Sequence, residues 1–235
     1  MTFVPTGVTS ISAIDISGLS GVQGAWNMED NVNDRSGNSL NLDSGVSSMD
    51  YVTLNGKRCA YRASGNVWAR STHDSALNIL GALTFHHLIL QQSTSENGIF
   101  CGFLGNGAPE AENYSYMLRT QSGTNKPQYY SEHGANIPSV FNTTVPILPF
   151  RWALYTVTRD GSGNVNFYVN GALGGQGNPA STTLPTGGTT AKFYVGGGTD
   201  SIGSITGFVG DTVVQNIEES AANVLAIAQQ VGVAP

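Results

Sequence analysis

A group of aromatic residues stands beside amides in this chain, and that combination is the chemistry of sugar recognition. Trp68, Tyr114, Tyr116, Tyr129 and Tyr130 offer flat apolar faces on which a sugar ring can stack, and Asn113, Gln128 and Asn136 offer hydrogen-bonding partners for its hydroxyls. Trp68, Tyr116, Tyr129 and Tyr130 are the candidate glycan-binding set. The competing reading is that aromatic residues of a β protein fill its core, and the sequence leaves both open. If residues 127–131 are extended, Tyr129 and Tyr130 point to opposite faces, so one of them faces outward.

Other reactive side chains point to less. His86 and His87 would lie on opposite faces of one strand and cannot chelate one ion together, while His73-Asp74 reads as a bonded pair or a turn. Cys59 and Cys101 sit in apolar, strand-like surroundings without a Cys-x-x-Cys pair, which favours buried free thiols over a zinc site or a disulfide. Lys57-Arg58, Arg62 and Arg70 are the nearest approach to a basic cluster and read as a solvated sheet face. With ten basic residues against sixteen acidic ones, and a net charge of −6, the chain is a poor match for a phosphate backbone. No Gly-x-Ser-x-Gly elbow, P-loop or His-Glu-x-x-His run is present.

The elements that must position these groups are strands. Residues 150–171 read as a hairpin whose second arm alternates cleanly: Val165, Phe167 and Val169 on one face, Asn164, Asn166, Tyr168 and Asn170 on the other. Further strand candidates lie at 22–28, 50–54, 58–63, 82–91, 98–104, 113–120, 127–131, 191–196 and 206–216, separated by turns such as Asn55-Gly56 and residues 160–163. Many short strands and thirty glycines predict a two-sheet all-β sandwich, and 235 residues suffice for one such domain. Residues 134–149 and 172–190 read as irregular loops. Apolar residues at helical spacing, Ala221, Val224, Leu225, Ala228 and Val231, predict a short C-terminal helix with Ser220 as N-cap and Gly232 as its stop. Residues 1–20 alternate weakly and read as an edge strand or as an arm that docks on a partner. They lack the pattern of a signal peptide, and no later stretch is apolar enough to span a membrane as a helix.

Three motifs then resemble a known family. They are Ala25-Trp26-Asn27-Met28-Glu29-Asp30 with the Asp34-Arg35-Ser36-Gly37-Asn38 turn; Arg151-Trp152 through Asn170-Gly171; and Phe193-Tyr194-Val195-Gly196-Gly197 with Phe208-Val209-Gly210-Asp211-Thr212-Val213. In order and spacing, from about residue 22 to about 230, they are similar to the laminin-G-like branch of the concanavalin A-like jelly rolls. The resemblance implies a jelly-roll domain over 21–235, with 1–20 as the arm or edge strand, and the indole of Trp152 buried between the sheets. It implies calcium on Glu29, Asp34 and Asp211; the alternative for Asp34 is an Asx-turn that caps its own loop. Glucan-cleaving relatives carry Glu-x-Asp-x-Glu on one strand, which places three carboxylates on one face. That run is missing here. Glu110-Ala-Glu112 comes nearest and reads as solvated loop, so no catalytic residue and no required cofactor is expected.

The expected function is therefore a non-enzymatic structural or binding part of a larger assembly, foremost a bacteriophage virion surface component (head decoration, tail or fibre), made in the host cytoplasm. Its partners would be other virion proteins through residues 1–20, a glycan, and further copies of itself, with neither nucleic acid nor membrane insertion. The alternatives are a secreted carbohydrate-binding or adhesion module, to which the sequons at Asn113 and Asn142 would be usable, and, more weakly, a glycosidase. Only 11% of the residues are charged, which suits a surface that packs on neighbours or meets neutral polar ligands.

Overall fold

The computed structural model describes residues 10–43, 49–62, 69–71, 75–92, 98–104, 116–120, 126–133, 137–177, 192–197 and 206–234. In chain order the strands are β1 (Val22–Trp26), β2 (Leu42–Asp43), β3 (Asp50–Leu54), β4 (Lys57–Arg62), β5 (Ala69–Ser71), β6 (Leu83–Gln91), β7 (Ile99–Leu104), β8 (Tyr116–Thr120), β9 (Pro127–His133) and β10 (Ile137–Asn142). They continue with β11 (Trp152–Arg159), β12 (Val165–Val169), β13 (Ala172–Gly177), β14 (Lys192–Val195) and β15 (Gly207–Gln215), and the chain closes on helix α1 (Ala221–Val231). The described strands form two antiparallel sheets. One has eight strands in the order β13-β12-β11-β6-β15-β4-β3, with β1 also on β15; the other has seven, β10-β9-β8-β7-β14-β5-β2.

The fold is thus the all-β, two-sheet jelly-roll sandwich with a short C-terminal helix that the sequence predicts. Local chemistry explains the turns. Asn55 and Gly56 join β3 to β4 with φ of 52° and 79°, the left-handed pair that a two-residue hairpin needs. Asp160 caps the β11–β12 turn by accepting from the backbone N–H groups of Ser162 and Asn164, both at 2.8 Å. Ser220 caps α1 through Asn223 N, and Gly232, at φ 91°, ends it with bonds to the carbonyls of Ala228 and Gln229.

Two apolar layers hold the body together. Between the sheets, Trp26 stacks on Phe193 with ring centroids 5.1 Å apart, and Phe100 stacks on Tyr155 at 5.4 Å, among Phe85, Phe103, Val157 and Phe167. The second layer lies outside the eight-stranded sheet, where α1 and residues 10–20 cover it with Ile11, Ile14, Ile227 and Val231 over Cys59, Leu88, Leu154 and Val213. Strands β6 and β15 run through the middle of this sheet and are buried along their whole length.

Several expectations change here. Trp152 is buried, but in the layer beneath α1 rather than between the sheets, because β11 sends Trp152 and Leu154 one way and Tyr155 and Val157 the other. The described part of the N-terminal arm docks on its own chain. Ile11 N donates to Asn55 O at 2.8 Å, Ser12 N to Val231 O at 3.0 Å, and Gln230 Nε2 to Ala13 O at 2.8 Å. The irregular loops over 134–149 and 172–190 each contain a strand, β10 and β13, and each is the last strand at one edge of its sheet.

Candidate functional site

The far face of the seven-stranded sheet brings an aromatic ring, an amide and a guanidinium together. Alternation along β8 sends Tyr116 and Leu118 into the core and leaves Met117 and Arg119 on the far face. On β9, likewise, Tyr129 goes inward while Gln128 and Tyr130 go to the far face, where Gln128, like Met117 and Tyr194, is itself buried and Tyr130 is half-buried. The register sets Met117 opposite Tyr130 and Arg119 opposite Gln128. Arg119 then lies diagonally over Tyr130, its guanidinium carbon 4.6 Å from the ring centroid, and its Nε donates to Gln128 Oε1 at 3.2 Å. Arg119 and Tyr130 are half-buried, so both are stiffened yet reach solvent.

The row through Tyr130 continues across the sheet by register: Met117, Gly102, Tyr194, Arg70, Asp43. Arg70 Nε pairs with Asp43 Oδ2 at 3.3 Å. Gly102 is needed where it stands, because a Cβ there would lie 2.5 Å from Met117 Cβ. Lys192 projects from the same face of β14 as Tyr194. Among the described side chains, this face therefore carries three cations, Arg70, Arg119 and Lys192, on a chain whose net charge is −6.

Of the aromatic residues predicted to bind a glycan, Tyr130 lies half-buried on the far face and two lie in the core. Tyr116 is fully buried and its hydroxyl donates to Leu77 O at 2.9 Å. Tyr129 is 1% exposed, with its hydroxyl accepting from Arg159 Nη1 at 3.4 Å. Both are core residues, so neither can stack on a ligand. Trp68, Asn113, Tyr114 and Asn136 lie outside the described residues, as do Glu110 and Glu112.

The predicted calcium ligands do not converge. Asp34 is saturated by its own loop: it accepts from Ala25 N at 3.0 Å, Ser36 N at 2.9 Å, Ser36 Oγ at 2.7 Å and Leu40 N at 3.0 Å. That is the Asx-turn alternative. Between Glu29 and Asp211 stands Lys57, whose Nζ lies 2.9 Å from Glu29 Oε1 and 2.7 Å from Asp211 Oδ1. An ammonium thus occupies the place of the cation, and among the described residues no three acidic, histidine or cysteine side chains group to hold an ion. Burial pushes the Asp211 carboxyl above its usual range, with the Lys57 charge opposing. The basic cluster is corrected as well. Lys57 is buried rather than solvated, and Arg58 is paired with Asp30 at 2.6 Å.

The histidines on β6 are structural. His86 Nε2 lies 3.1 Å from Gln215 Oε1 and Nδ1 2.8 Å from Thr156 Oγ1. An amide oxygen only accepts, so neutral His86 carries its proton on Nε2. On the opposite face, His87 Nδ1 meets Thr212 Oγ1 at 2.8 Å, and among the described residues Nε2 has no partner. Burial pushes the two imidazoles down, to about 4 for His86 and about 3 for His87. Both cysteines are free and buried, and burial raises both thiols, Cys59 to about 12, which leaves them unreactive.

A family model described as the concanavalin A-like lectin/glucanases superfamily matches residues 49–225. The chain belongs to that superfamily. Solved structures repeat the architecture of this lectin-like domain. The binding domain of Paraclostridial Mosquitocidal Protein 1 matches with TM-score 0.69 and 10% identity over 89% of this chain and 52% of that one. The ligand-binding domain of botulinum neurotoxin serotype D, solved with N-acetylneuraminic acid, matches with TM-score 0.70 and 12% identity over 89% and 51%. Domain 4 of AbnA, an extracellular arabinanase from Geobacillus stearothermophilus solved with arabinotriose, matches with TM-score 0.67 and 14% identity over 88% and 98%. The chain spans about half the length of the toxin binding domains and nearly all of the arabinanase domain. A comparison with curated protein sequences finds no match.

Two cationic residues give no sequence signal, one on this face and one in the core. Arg119 carries no motif, and only the pairing of β8 with β9 brings it over Tyr130. Arg159 closes β11 as a buried cation that donates to the carbonyls of Ile79 (2.8 Å) and Gly81 (2.9 Å from Nε), fixing the approach to β6.

Proposed function

We propose that this chain is a non-enzymatic glycan-binding module that holds a sugar on the outward face of its seven-stranded sheet. The observation that carries this reading is the Arg119–Tyr130 pair, ordered by Gln128. A guanidinium laid over a phenol ring presents an apolar surface for the C–H face of a sugar, and its edge donates to hydroxyl or carboxylate oxygens. Because both strands are rigid elements of a sheet, little side-chain entropy is lost on binding. Structural relatives solved with arabinotriose or N-acetylneuraminic acid bound support the same ligand class. We place the module on the surface of a bacteriophage virion, where a weakly charged sandwich would be displayed and would touch a host envelope.

The test is a glycan array followed by calorimetry on the best binder. Tyr130→Ala should weaken binding by about tenfold or more, in line with the ~1–3 kcal/mol of ring stacking and cation–π contacts, whereas Tyr130→Phe should bind nearly as well as the native chain. No binder on the array, or unchanged affinity in Tyr130→Ala, would overturn it.

A further inference from the structure

We propose that Lys57 and Asp211 become joined by an intramolecular amide bond that the folded chain makes itself, with Glu29 as the proton-transferring catalytic residue. The two side chains project from neighbouring antiparallel strands, β4 and β15, into the layer covered by α1 and residues 10–20. Lys57 Nζ lies 2.7 Å from Asp211 Oδ1, and each side chain is 2% exposed. Glu29 Oε1 is 2.9 Å from the same nitrogen, with 39% of its side chain open to solvent. The nucleophile, the acyl group and a carboxylate base thus meet at one nearly dry point.

A buried ion pair gains little over an apolar pair of the same volume, because removing both charges from water offsets their attraction. Condensation to an amide removes both charges while keeping the two strands tied. The geometry is already close: an amine held against a carboxyl oxygen sits near the ~3–3.5 Å approach to carbon from which well-oriented intramolecular reactions proceed.

The atoms balance without any other reactant. A proton passes from the Lys57 ammonium to Oδ1 of Asp211, giving the neutral amine and acid that a low-dielectric site favours. The amine lone pair attacks Cγ, and the carbonyl electrons move onto Oδ2. Ile14 donates its backbone N–H to Oδ2, so the developing oxyanion meets a donor already in place. Glu29 takes a proton from the nitrogen and hands it to the Oδ1 hydroxyl. The Cγ–Oδ1 bond breaks and water leaves past the open side of Glu29. An ammonium and a carboxylate have become one secondary amide and one water.

The bond would tie residues 154 apart in sequence, linking a strand near the start of the domain to the last strand before α1. It requires no glycan and stands apart from the outward face of the seven-stranded sheet.

Intact mass and peptide mapping of the full chain, purified folded and then denatured, test it. The expected result is a mass one water short of the sequence and a branched peptide joining Lys57 to Asp211. Lys57→Arg and Asp211→Ala should show their full sequence masses. Glu29→Gln, confirmed folded by circular dichroism, should also keep the water, and this separates catalysis from folding. Native chain at full mass after prolonged incubation, with Lys57 only in a linear peptide, overturns the proposal. So does a water loss that maps elsewhere, such as a succinimide at Asp160-Gly161, or a cross-link that forms unchanged in Glu29→Gln.

Discussion

Acidification should destabilise this protein from just below neutral pH, because two buried histidines are held neutral. In the unfolded chain an imidazole has a pKa near 6.5; in the fold, burial lowers His86 to about 4 and His87 to about 3. Since the folded values lie below the unfolded ones, the unfolded state binds more protons as pH falls, and stability falls with it. The effect is absent above the unfolded value and grows from there down toward the folded ones. At pH 5 each histidine has been carried about 1.5 units past its unfolded pKa, or roughly 2 kcal/mol at ~1.4 kcal/mol per unit. The pair together remove about 4 kcal/mol, a large part of a typical stability of ~5–15 kcal/mol. Asp15 and Asp160, lowered by their Ser17 and Asn164 hydrogen bonds, add nothing in this window because their unfolded values lie below it. The assay is urea denaturation at steps from about pH 7.5 to 5. His87→Gln should cut the pH slope by about half, whatever its stability at neutral pH. A flat profile across that range, or greater stability at pH 5, would refute the reasoning.

Asp34→Ala removes one carboxylate that satisfies three backbone N–H groups and a hydroxyl, and should cost about 2–4 kcal/mol; thermal denaturation measures it, and calcium or chelator should leave the native midpoint unchanged. Trp152→Ala should cost about 3–5 kcal/mol and loosen α1, seen as faster amide exchange in residues 221–231, because the indole lies beneath the helix. Trp152→Phe should cost much less, since among the described residues the indole N–H has no acceptor to lose.

The long strands were legible because each obeys one period. β12 alternates cleanly, and β6 is a long run rich in Leu, Ile and Phe that is buried on both faces. What stayed hidden were strands whose pairing rests on backbone bonds alone. β13 reads Ala-Leu-Gly-Gly-Gln-Gly and β10 carries Pro138, which is tolerable only where one side of the ladder is unpaired, and both are edge strands. Trp152 looked like sandwich core because hydrophobicity alone does not tell which face of a sheet a helix will cover. Tyr130 could be named as one of two residues of which one faces outward, but no local rule chose between it and Tyr129. Arg119 has no sequence signal, and Lys57 reads as solvated, for the same reason. Their partners, Tyr130 on the next strand and Asp211 far along the chain, are set by register and topology rather than by spacing.

The most direct test of the glycan-binding account is to map bound sugar by amide chemical-shift changes in the isotope-labelled native chain, using the tightest binder from the array. The account predicts shifts centred on Met117, Arg119, Gln128 and Tyr130 of β8 and β9, with α1 and β4 silent. Shifts confined to α1 and the covered face of the eight-stranded sheet, or none at saturating sugar, would contradict it.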